Sequence, residues 1–139
     1  MRIFHVIGSL DPAAGGPPAV AARLAAAQAA LGHEVRIICF GQRDQRYEVN
    51  KSLTGVPQMD RVLIVALWPG TGWRGKIEDL TGTLVTQYLQ PRIEPGDVMH
   101  LHGVWEPMLR TASKISLRNR AGYVVMPHGM LDQIGRAHV

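Results

Sequence analysis

Hydrophobic and polar positions along the chain follow two periods, one typical of buried strands and one typical of helices. Continuous apolar or β-branched runs, each closed by Gly, Ser, Pro or a polar stretch, predict strands. These predicted strands cover residues 2–7, 34–40, 62–67, 97–102 and 123–126. Residues 41–60 are polar and irregular, which predicts a long surface connection.

Three helical segments are predicted between these strands. The first begins at Pro17 and ends at Gly32, and its apolar stripe consists of Val20, Leu24, Ala27 and Leu31. The second continues through Gly82, and its stripe consists of Ile77, Leu80, Leu84 and Tyr88. The third covers residues 107–120, and its inward positions are Met108, Ala112 and Ile115.

The regular alternation of strand and helix predicts an α/β fold, with a Rossmann-like parallel sheet of about five strands covered by helices on both faces. The continuous apolar runs predict strands buried on both sides. Ligands bind beyond the carboxyl ends of the strands in such sheets. This edge would carry the loops 8–16, 102–106 and 128–131.

Composition narrows the class of protein. The chain has 139 residues, 46% apolar and 19% charged, which suits one compact domain and excludes a disordered chain or a large two-domain enzyme. Cys39 is the single cysteine, so no internal disulfide forms and a reducing, cytoplasmic compartment is expected. The longest apolar stretch, residues 62–68, is far short of the ~20 residues that span a bilayer.

The last six residues, 134–139, match the translation of a common sequencing adapter in one reading frame. We therefore expect the domain to comprise residues 1–133 and the tail to be read-through, with a natural C-terminal coil as the alternative.

The first loop places Gly15 and Gly16 directly before a helix. Glycines let a ligand approach the backbone, and free N–H groups at a helix N-terminus favour phosphate. A plain strand-to-helix turn explains the same residues. The loop lacks the glycine pattern of dinucleotide-binding folds and the Gly-Lys-Ser/Thr of P-loops.

Three histidines fall near the carboxyl ends of predicted strands. His100 and His102 are two residues apart and share a face, so a metal pair is conceivable. Glu106 is the only carboxylate soon after them and no third histidine follows nearby, so no metal is expected. We expect His100 to be packed or hydrogen-bonded within the sheet and His102 to reach the ligand-facing edge. His128, before Gly129, suits proton handling or a hydrogen bond to a sugar or phosphate hydroxyl.

A basic row on the third predicted helix repeats every four residues, at Arg110, Lys114 and Arg118. A solvated helix face explains it, and contact with an anionic membrane surface is the sharper alternative. The net charge of +4 is mild, and no aromatic residues interleave with this row, so no nucleic-acid partner is expected.

Four segments together resemble the N-terminal domain of a family 4 glycosyltransferase of the GT-B class. They are Gly15-Gly16-Pro17 after the opening strand, Leu31-Gly32-His33-Glu34-Val35, residues 97–105 (Asp-Val-Met-His-Leu-His-Gly-Val-Trp) and residues 127–132 (Pro-His-Gly-Met-Leu-Asp). The resemblance covers residues 1–132.

This resemblance implies transfer of a sugar from a nucleotide-sugar donor to a glycan or glycolipid acceptor, with retention at the anomeric carbon, in polysaccharide assembly. It implies that Gly15 and Gly16 approach the donor, that His128 contacts the transferred sugar near its reacting carbon, and that His102 and Trp105 line the acceptor side. It implies neither a cofactor nor a metal, and a cytoplasmic location at or near the inner membrane face.

Family members carry a second, C-terminal domain with paired glutamates and most nucleotide contacts. On that pattern these 139 residues are an N-terminal fragment that we expect to be inactive alone. A stand-alone Rossmann-like module that binds a nucleotide or glycan without catalysis is the alternative.

Overall fold

The computed structural model describes residues 1–41 and 45–129. Its sheet has five parallel strands in the order β3-β2-β1-β4-β5. The strands are β1 (Arg2–Ile7), β2 (Glu34–Phe40), β3 (Val62–Leu67), β4 (Val98–His102) and β5 (Gly122–Met126). The predicted α/β class and five parallel strands are confirmed. The predicted tail, residues 134–139, lies outside the described residues.

Five helices connect the strands in the described residues: α1 (Gly16–Ala30), α2 (Arg46–Thr54), α3 (Trp73–Thr81), α4 (Thr83–Leu89) and α5 (Pro107–Arg118). Short 3₁₀ turns form at Pro12–Ala14 and Met59–Arg61. Within residues 1–41 and 45–129, no helix has the length and apolar character needed to cross a bilayer.

The sheet separates two apolar cores, because successive side chains of a strand point to opposite faces. On β1, Ile3 and Ile7 pack in the core beneath α1, whereas Phe4 and Val6 pack in the core beneath α4 and α5. At the amino end of the sheet, the Arg2 Nε donates to Asp97 Oδ1 at 2.9 Å. An ion pair therefore joins β1 to the start of β4 at this end, and ligands of such sheets bind at the opposite, carboxyl end.

The predicted stripe of α1 is wrong, because the helix is rotated relative to it. Val20 and Leu31 are 42% and 78% exposed. The buried face consists of alanines at 21, 22, 25, 26 and 29, with Pro18. Alanines allow the helix axis to approach the sheet closely, and a face of larger side chains would hold it further away.

The region predicted as irregular, residues 41–60, contains α2. Val49 and Leu53 of this helix pack against the core beneath α1. The prediction failed because the two apolar residues are too few to produce a clear helical period in a polar segment.

The second predicted helix is two helices, α3 and α4, divided at Gly82. Gly82 has φ +61°, and a Cβ at this position would lie 2.5 Å from Thr111 Oγ1. The buried Glu78 carboxylate accepts hydrogen bonds from the Leu84 and Val85 amides and so caps α4. Of the predicted stripe, Ile77 and Leu80 are exposed.

The third predicted helix ends two residues early, because Arg120 has φ +56° and leaves the helical conformation. Its inward positions, Met108, Ala112 and Ile115, are buried as predicted. The expectation that every strand is buried on both sides fails for β5. Tyr123, Val124 and Val125 are exposed there, since β5 is an outer strand of the sheet formed by the described residues.

Candidate functional site

The carboxyl ends of the strands open onto a shallow crevice. Its walls come from the segments that follow β1, β2 and β3, and its lining residues are Gly8, Ser9, Phe40, Gly41, Gln45, Trp68, Pro69 and Gly70. The loops predicted to meet at this edge follow β1, β4 and β5, so the described part of each lies at the same end of the sheet.

The glycine turn between β1 and α1 is built by local backbone bonds. The Asp11 carboxylate accepts from the Ala13 amide at 2.9 Å and begins the 3₁₀ turn. Gly15 ends the turn with φ +94°, a conformation that only glycine adopts without strain. Gly16 begins α1, and a Cβ placed on it would have no atom within 4 Å. The backbone is therefore accessible where the predicted phosphate contact would occur.

His128 lies just beyond β5 and has φ +51°, in the left-handed region that non-glycine residues rarely occupy. Its Nε2 is 3.0 Å from Nδ1 of His102, and the two rings stack with their centroids 5.3 Å apart. The backbone turn thus directs the His128 ring back toward the end of β4. Strained backbone of this kind occurs disproportionately at functional sites.

His102 does not reach the ligand-facing edge, so this expectation is wrong. His102 is only 1% exposed, and its two ring nitrogens lie within hydrogen-bond distance of His5 and His128. His102 is the last residue of β4 and points to the α1 side, where β1 and the covering helix enclose it. The acceptor-side role of His102 stays a prediction, and His128 is the histidine that lies between its ring and the end of β5.

His5 continues the line of rings into the protein. It lies in the middle of β1, and its Nδ1 is 2.8 Å from Nε2 of His102. Its Nε2 is 2.6 Å from Oε1 of Gln28, which is on α1. Gln28, His5, His102 and His128 therefore form one hydrogen-bonded row, which we call the histidine row.

Burial fixes the charge of the two inner rings. Desolvation lowers the pKa of His5 to about 4, although the Gln28 carbonyl works in the opposite direction. Desolvation, together with the neighbouring imidazoles, lowers the pKa of His102 to about 3. Both inner imidazoles are therefore neutral at pH 7, and a neutral imidazole has one donor nitrogen and one acceptor nitrogen.

His100 packs beside the row, as predicted, with its ring centroid 5.0 Å from that of His5. The Nδ1 of His100 is buried and finds no hydrogen-bond partner in the part of the chain that the structure describes. Burial lowers its pKa as well.

His5, His100 and His102 place one nitrogen each within 4.8 Å of one another, a grouping that could hold a metal ion. No metal was predicted because no third histidine follows His102 closely in the sequence. In the fold, His5 of β1 is the third histidine. Two nitrogens on one tetrahedral zinc would lie about 3.3 Å apart, given Zn–N bonds of about 2.0–2.1 Å. The 2.8 Å between Nδ1 of His5 and Nε2 of His102 is a hydrogen-bond distance, which favours the hydrogen-bonded row over a metal.

Glu106 is a further polar group at this edge, and the sequence argument gave it no role in the site. Its carboxylate lies against Gly103, where a Cβ would be 2.6 Å from Oε2, and beside Gly8. The same Oε2 is buried and has no hydrogen-bond partner among residues 1–41 and 45–129. The oxygen is thus an available acceptor next to the ends of β1 and β4. Trp105, predicted on the acceptor side, is 63% exposed on the adjoining loop.

The basic row of α5 is exposed at Arg110, Lys114 and Arg118. On the neighbouring α3, the side chains of Trp73, Ile77 and Leu80 are also exposed. Their spacing places them on one side of that helix. The described surface thus combines an apolar helix face with a basic one.

His5 and Gln28 were not among the predicted site residues, although the sequence contains an indication of each. His5 interrupts a buried apolar run, where an imidazole needs a hydrogen-bond partner. Gln28 is the only amide side chain in the alanine-rich helix α1. The contact between His5 and Gln28 depends on the rotation of α1 about its axis, and the predicted apolar stripe of α1 gave this rotation wrongly.

Comparison with known proteins gave one family, whose description is "Glycosyl transferase 4-like domain". It matches residues 15–138, from the glycine turn to beyond His128, which follows β5. Neither the curated proteins nor the solved structures gave a significant match. With its five-stranded parallel sheet and a match over most of its length, the chain belongs to the glycosyl transferase 4-like domain family.

Proposed function

We propose that this chain is the acceptor-side domain of a retaining glycosyltransferase that moves a sugar from a nucleotide-sugar to a glycan or glycolipid, in polysaccharide assembly. The family match carries the proposal, because it spans both Gly15 and His128. The fold adds support, since both residues follow carboxyl ends of strands in one parallel sheet.

The roles follow the chemistry of each group. Gly15 and Gly16 bring backbone N–H groups to the donor diphosphate, and the open space at Gly16 leaves room for it. His128 hydrogen-bonds the transferred sugar near its reacting carbon. Trp105 offers an exposed ring to acceptor hydroxyls, and Glu106 offers a carboxylate oxygen that has no partner within the described residues. No cofactor and no metal take part in this scheme.

Transfer is measured with a panel of nucleotide-sugars in two proteins. One is this chain, and the other is the protein encoded by the gene when it is read on from codon 133. Sugar transfer with retained anomeric configuration in either protein supports the proposal. Binding without transfer in both would instead favour a nucleotide- or glycan-binding module, and neither binding nor transfer would reject both functions.

Replacement of His128 by Ala should lower kcat/KM roughly 10- to 100-fold, the effect of losing one hydrogen bond that strengthens in the transition state. His33→Ala is the matched control, because His33 is a half-exposed histidine outside the histidine row. Equal rates in the two variants would remove His128 from the reaction.

Gly16→Ala tests the donor loop. The methyl group meets no protein atom within 4 Å, so the fold should tolerate it, yet it would occupy the space assigned to the diphosphate. We expect the Kd for the nucleotide-sugar, measured by titration calorimetry, to rise at least about 10-fold. Gly122→Ala, which also has open space, should leave the Kd unchanged.

We also propose a peripheral contact with the anionic, cytoplasmic face of a membrane. The basic row Arg110, Lys114 and Arg118 would attract the lipid headgroups, and the exposed face of α3 would insert between them. Thr111, which touches the α3–α4 junction at Gly82, is one helical turn before Lys114. The two features therefore occupy adjoining surface.

Sedimentation with vesicles of phosphatidylglycerol and phosphatidylcholine tests this contact. Replacing the three basic residues by Gln should lower vesicle binding by about 100-fold, at about 1 kcal/mol for each of the three charges. The control replaces three exposed basic residues elsewhere, Arg23, Arg46 and Lys51, by Gln. Equal losses in both triple variants would show a net-charge effect without a defined face.

A further inference from the structure

We propose that Gln28, His5 and His102 are positioning residues that fix the tautomer and the orientation of His128, so that its Nδ1 is the nitrogen presented to the substrate. The observation is the unbroken row of hydrogen bonds from α1 through β1 and β4 to the residue after β5, with lengths of 2.6, 2.8 and 3.0 Å. The role given to His128 rests on the proposed function, whereas the direction of the row does not.

The inner end of the row sets its direction. Oε1 of Gln28 is a carbonyl oxygen and only accepts, so the Nε2 of His5 carries a proton and donates. The His5 ring is fully buried between an amide and an imidazole, where a charge would be costly, so it is neutral and its Nδ1 carries no proton and accepts. The Nε2 of His102 is the donor to it.

The proton positions on His102 and His128 follow in the same way. His102 is neutral and donates through Nε2, so its Nδ1 is an acceptor. The partner of that Nδ1 is Nε2 of His128, which must therefore carry a proton. In neutral His128 this leaves Nδ1 without a proton, as an acceptor directed away from the row.

The orientation of the His128 ring thus depends on the Gln28 amide, and this dependence gives the buried polar side chains of the histidine row a role. A lone imidazole at the end of β5 would exchange tautomers freely and turn about its side-chain bonds. Here the ring is held by the bond to His102 and by stacking at 24° between ring planes. The substrate hydroxyl that His128 meets would find an acceptor whose geometry is already set, which reduces the cost of ordering the site.

The histidine tautomers of the 139-residue chain can be read directly from two-bond ¹H–¹⁵N correlation spectra of ¹⁵N-histidine-labelled protein at pH 7.5, without any substrate. We expect Nε2–H in His5, His102 and His128. His33, outside the row, is the internal reference. An Nδ1–H tautomer at His5 or His102, or a mixture at these two rings, would overturn the proposal.

Gln28→Leu tests the amide itself. Without the carbonyl, His5 loses the partner that fixes its Nε2 proton, and we expect mixed tautomers along the row, His128 included. Gln87→Leu, an exposed change on α4, should leave all the tautomers as in the parent chain. Unchanged tautomers in Gln28→Leu would show that Gln28 does not direct the row. If that variant fails to fold, the spectrum of the parent chain decides the question alone.

Zinc chloride provides a further test, because His5, His100 and His102 are the competing metal grouping. Under the proposal, one equivalent of zinc leaves their ¹⁵N shifts unchanged. Stoichiometric binding that moves all three signals would replace the row by a metal site.

In any protein that shows transfer, Gln28→Leu should lower kcat about 2- to 10-fold with little change in KM for the donor, and should alter the pH profile. Failure of the proposed function would remove this readout and leave the tautomers intact. The two failures are therefore distinguishable.

Discussion

Burial of two neutral imidazoles, His5 and His102, couples the stability of this chain to pH. The unfolded chain binds a proton at each ring near the ordinary histidine pKa of about 6.5. The folded chain holds these pKa values near 4 and 3. Below pH 6.5 the unfolded state therefore binds more protons, and the free energy of unfolding falls as the pH falls.

We expect the free energy of unfolding to drop by about 2–4 kcal/mol between pH 7.5 and pH 5, at roughly 1.4 kcal/mol per pKa unit for each ring. Urea titrations across this range provide the measurement. His5→Gln should reduce the pH slope by about half, while Gln87→Leu, an exposed change on α4, should leave it unchanged. A slope that does not respond to His5→Gln would contradict neutral burial of this ring.

Gly103 is a second residue whose environment makes a sharp prediction. It has φ +122°, and a Cβ there would lie 2.6 Å from Glu106 Oε2 and 3.1 Å from Leu109 Cδ1. Gly103→Ala should cost about 2–4 kcal/mol, from the backbone strain and the forced movement of Glu106. Gly122→Ala, in open space at the start of β5, is the control in the same urea titration. Similar midpoints for the two variants would show that the loop adapts freely.

Single residues were the least predictable part of the site. His128 could be placed at the sheet edge from its position after a predicted strand, and the structure locates it there. The burial of His102 could not be predicted, because it depends on which face of β4 is covered by α1. The row required the register between β1 and β4, which pairs residues 95 apart in sequence.

At the scale of elements, the junction between α3 and α4 is held by one carboxylate. Both Glu78 oxygens accept from backbone amides of α4, at 2.9–3.3 Å. A short helix begun without such a cap would leave its first N–H groups unpaired. The break at Gly82 and the cap at Glu78 therefore belong to the same turn.

Glu78→Gln should lower the free energy of unfolding by about 1–2 kcal/mol, because the amide has one acceptor oxygen and no charge to offer the helix end. Asp79→Asn removes the same charge from an exposed neighbour and should stay within about 0.5 kcal/mol of the parent chain. Equal losses of unfolding free energy in Glu78→Gln and Asp79→Asn would mean that the lost negative charge, and not the lost helix cap, lowers the stability.

The elements with strong periodicity were predictable and the short ones were not. The inward face of α5 follows from its spacing, and all three predicted positions are buried. The stripe through Ile77 and Leu80 has an equally good period, yet both side chains are exposed, and the helix ends just before the left-handed Gly82. Periodicity identifies an apolar face but not what it packs against.

At the scale of the whole molecule, β5 is the outer strand beside β4 in the described residues, and its apolar side chains are exposed. An exposed, apolar outer strand is a template for pairing with another chain. We expect this chain to associate in a concentration-dependent manner, measured by sedimentation velocity. Val124→Lys should shift the distribution toward monomer, because a charge on the strand opposes pairing.

Val20→Lys is the matched control for β5, since Val20 is also about half exposed but lies on α1. It should leave the association unchanged. Association that persists equally in both variants would place the contact elsewhere on the surface.

The architecture as a whole was the most predictable level. Five alternating apolar runs specify a parallel sheet, because each helix between them has to cross over it in the same sense. The strand order places β1 at the centre with β2 and β4 on its two sides.

The two cores on opposite faces of the sheet have a consequence for how the chain is made. The core beneath α1 draws its buried residues from positions 3–62, so a ribosome has supplied all of them before half of the chain is complete. The opposite core needs residues up to Ala121, yet it includes Phe4 and Val6. During synthesis, one face of the nascent sheet can close while the other exposes its apolar residues to chaperones for about 60 residues more, or several seconds at ~5–20 residues per second.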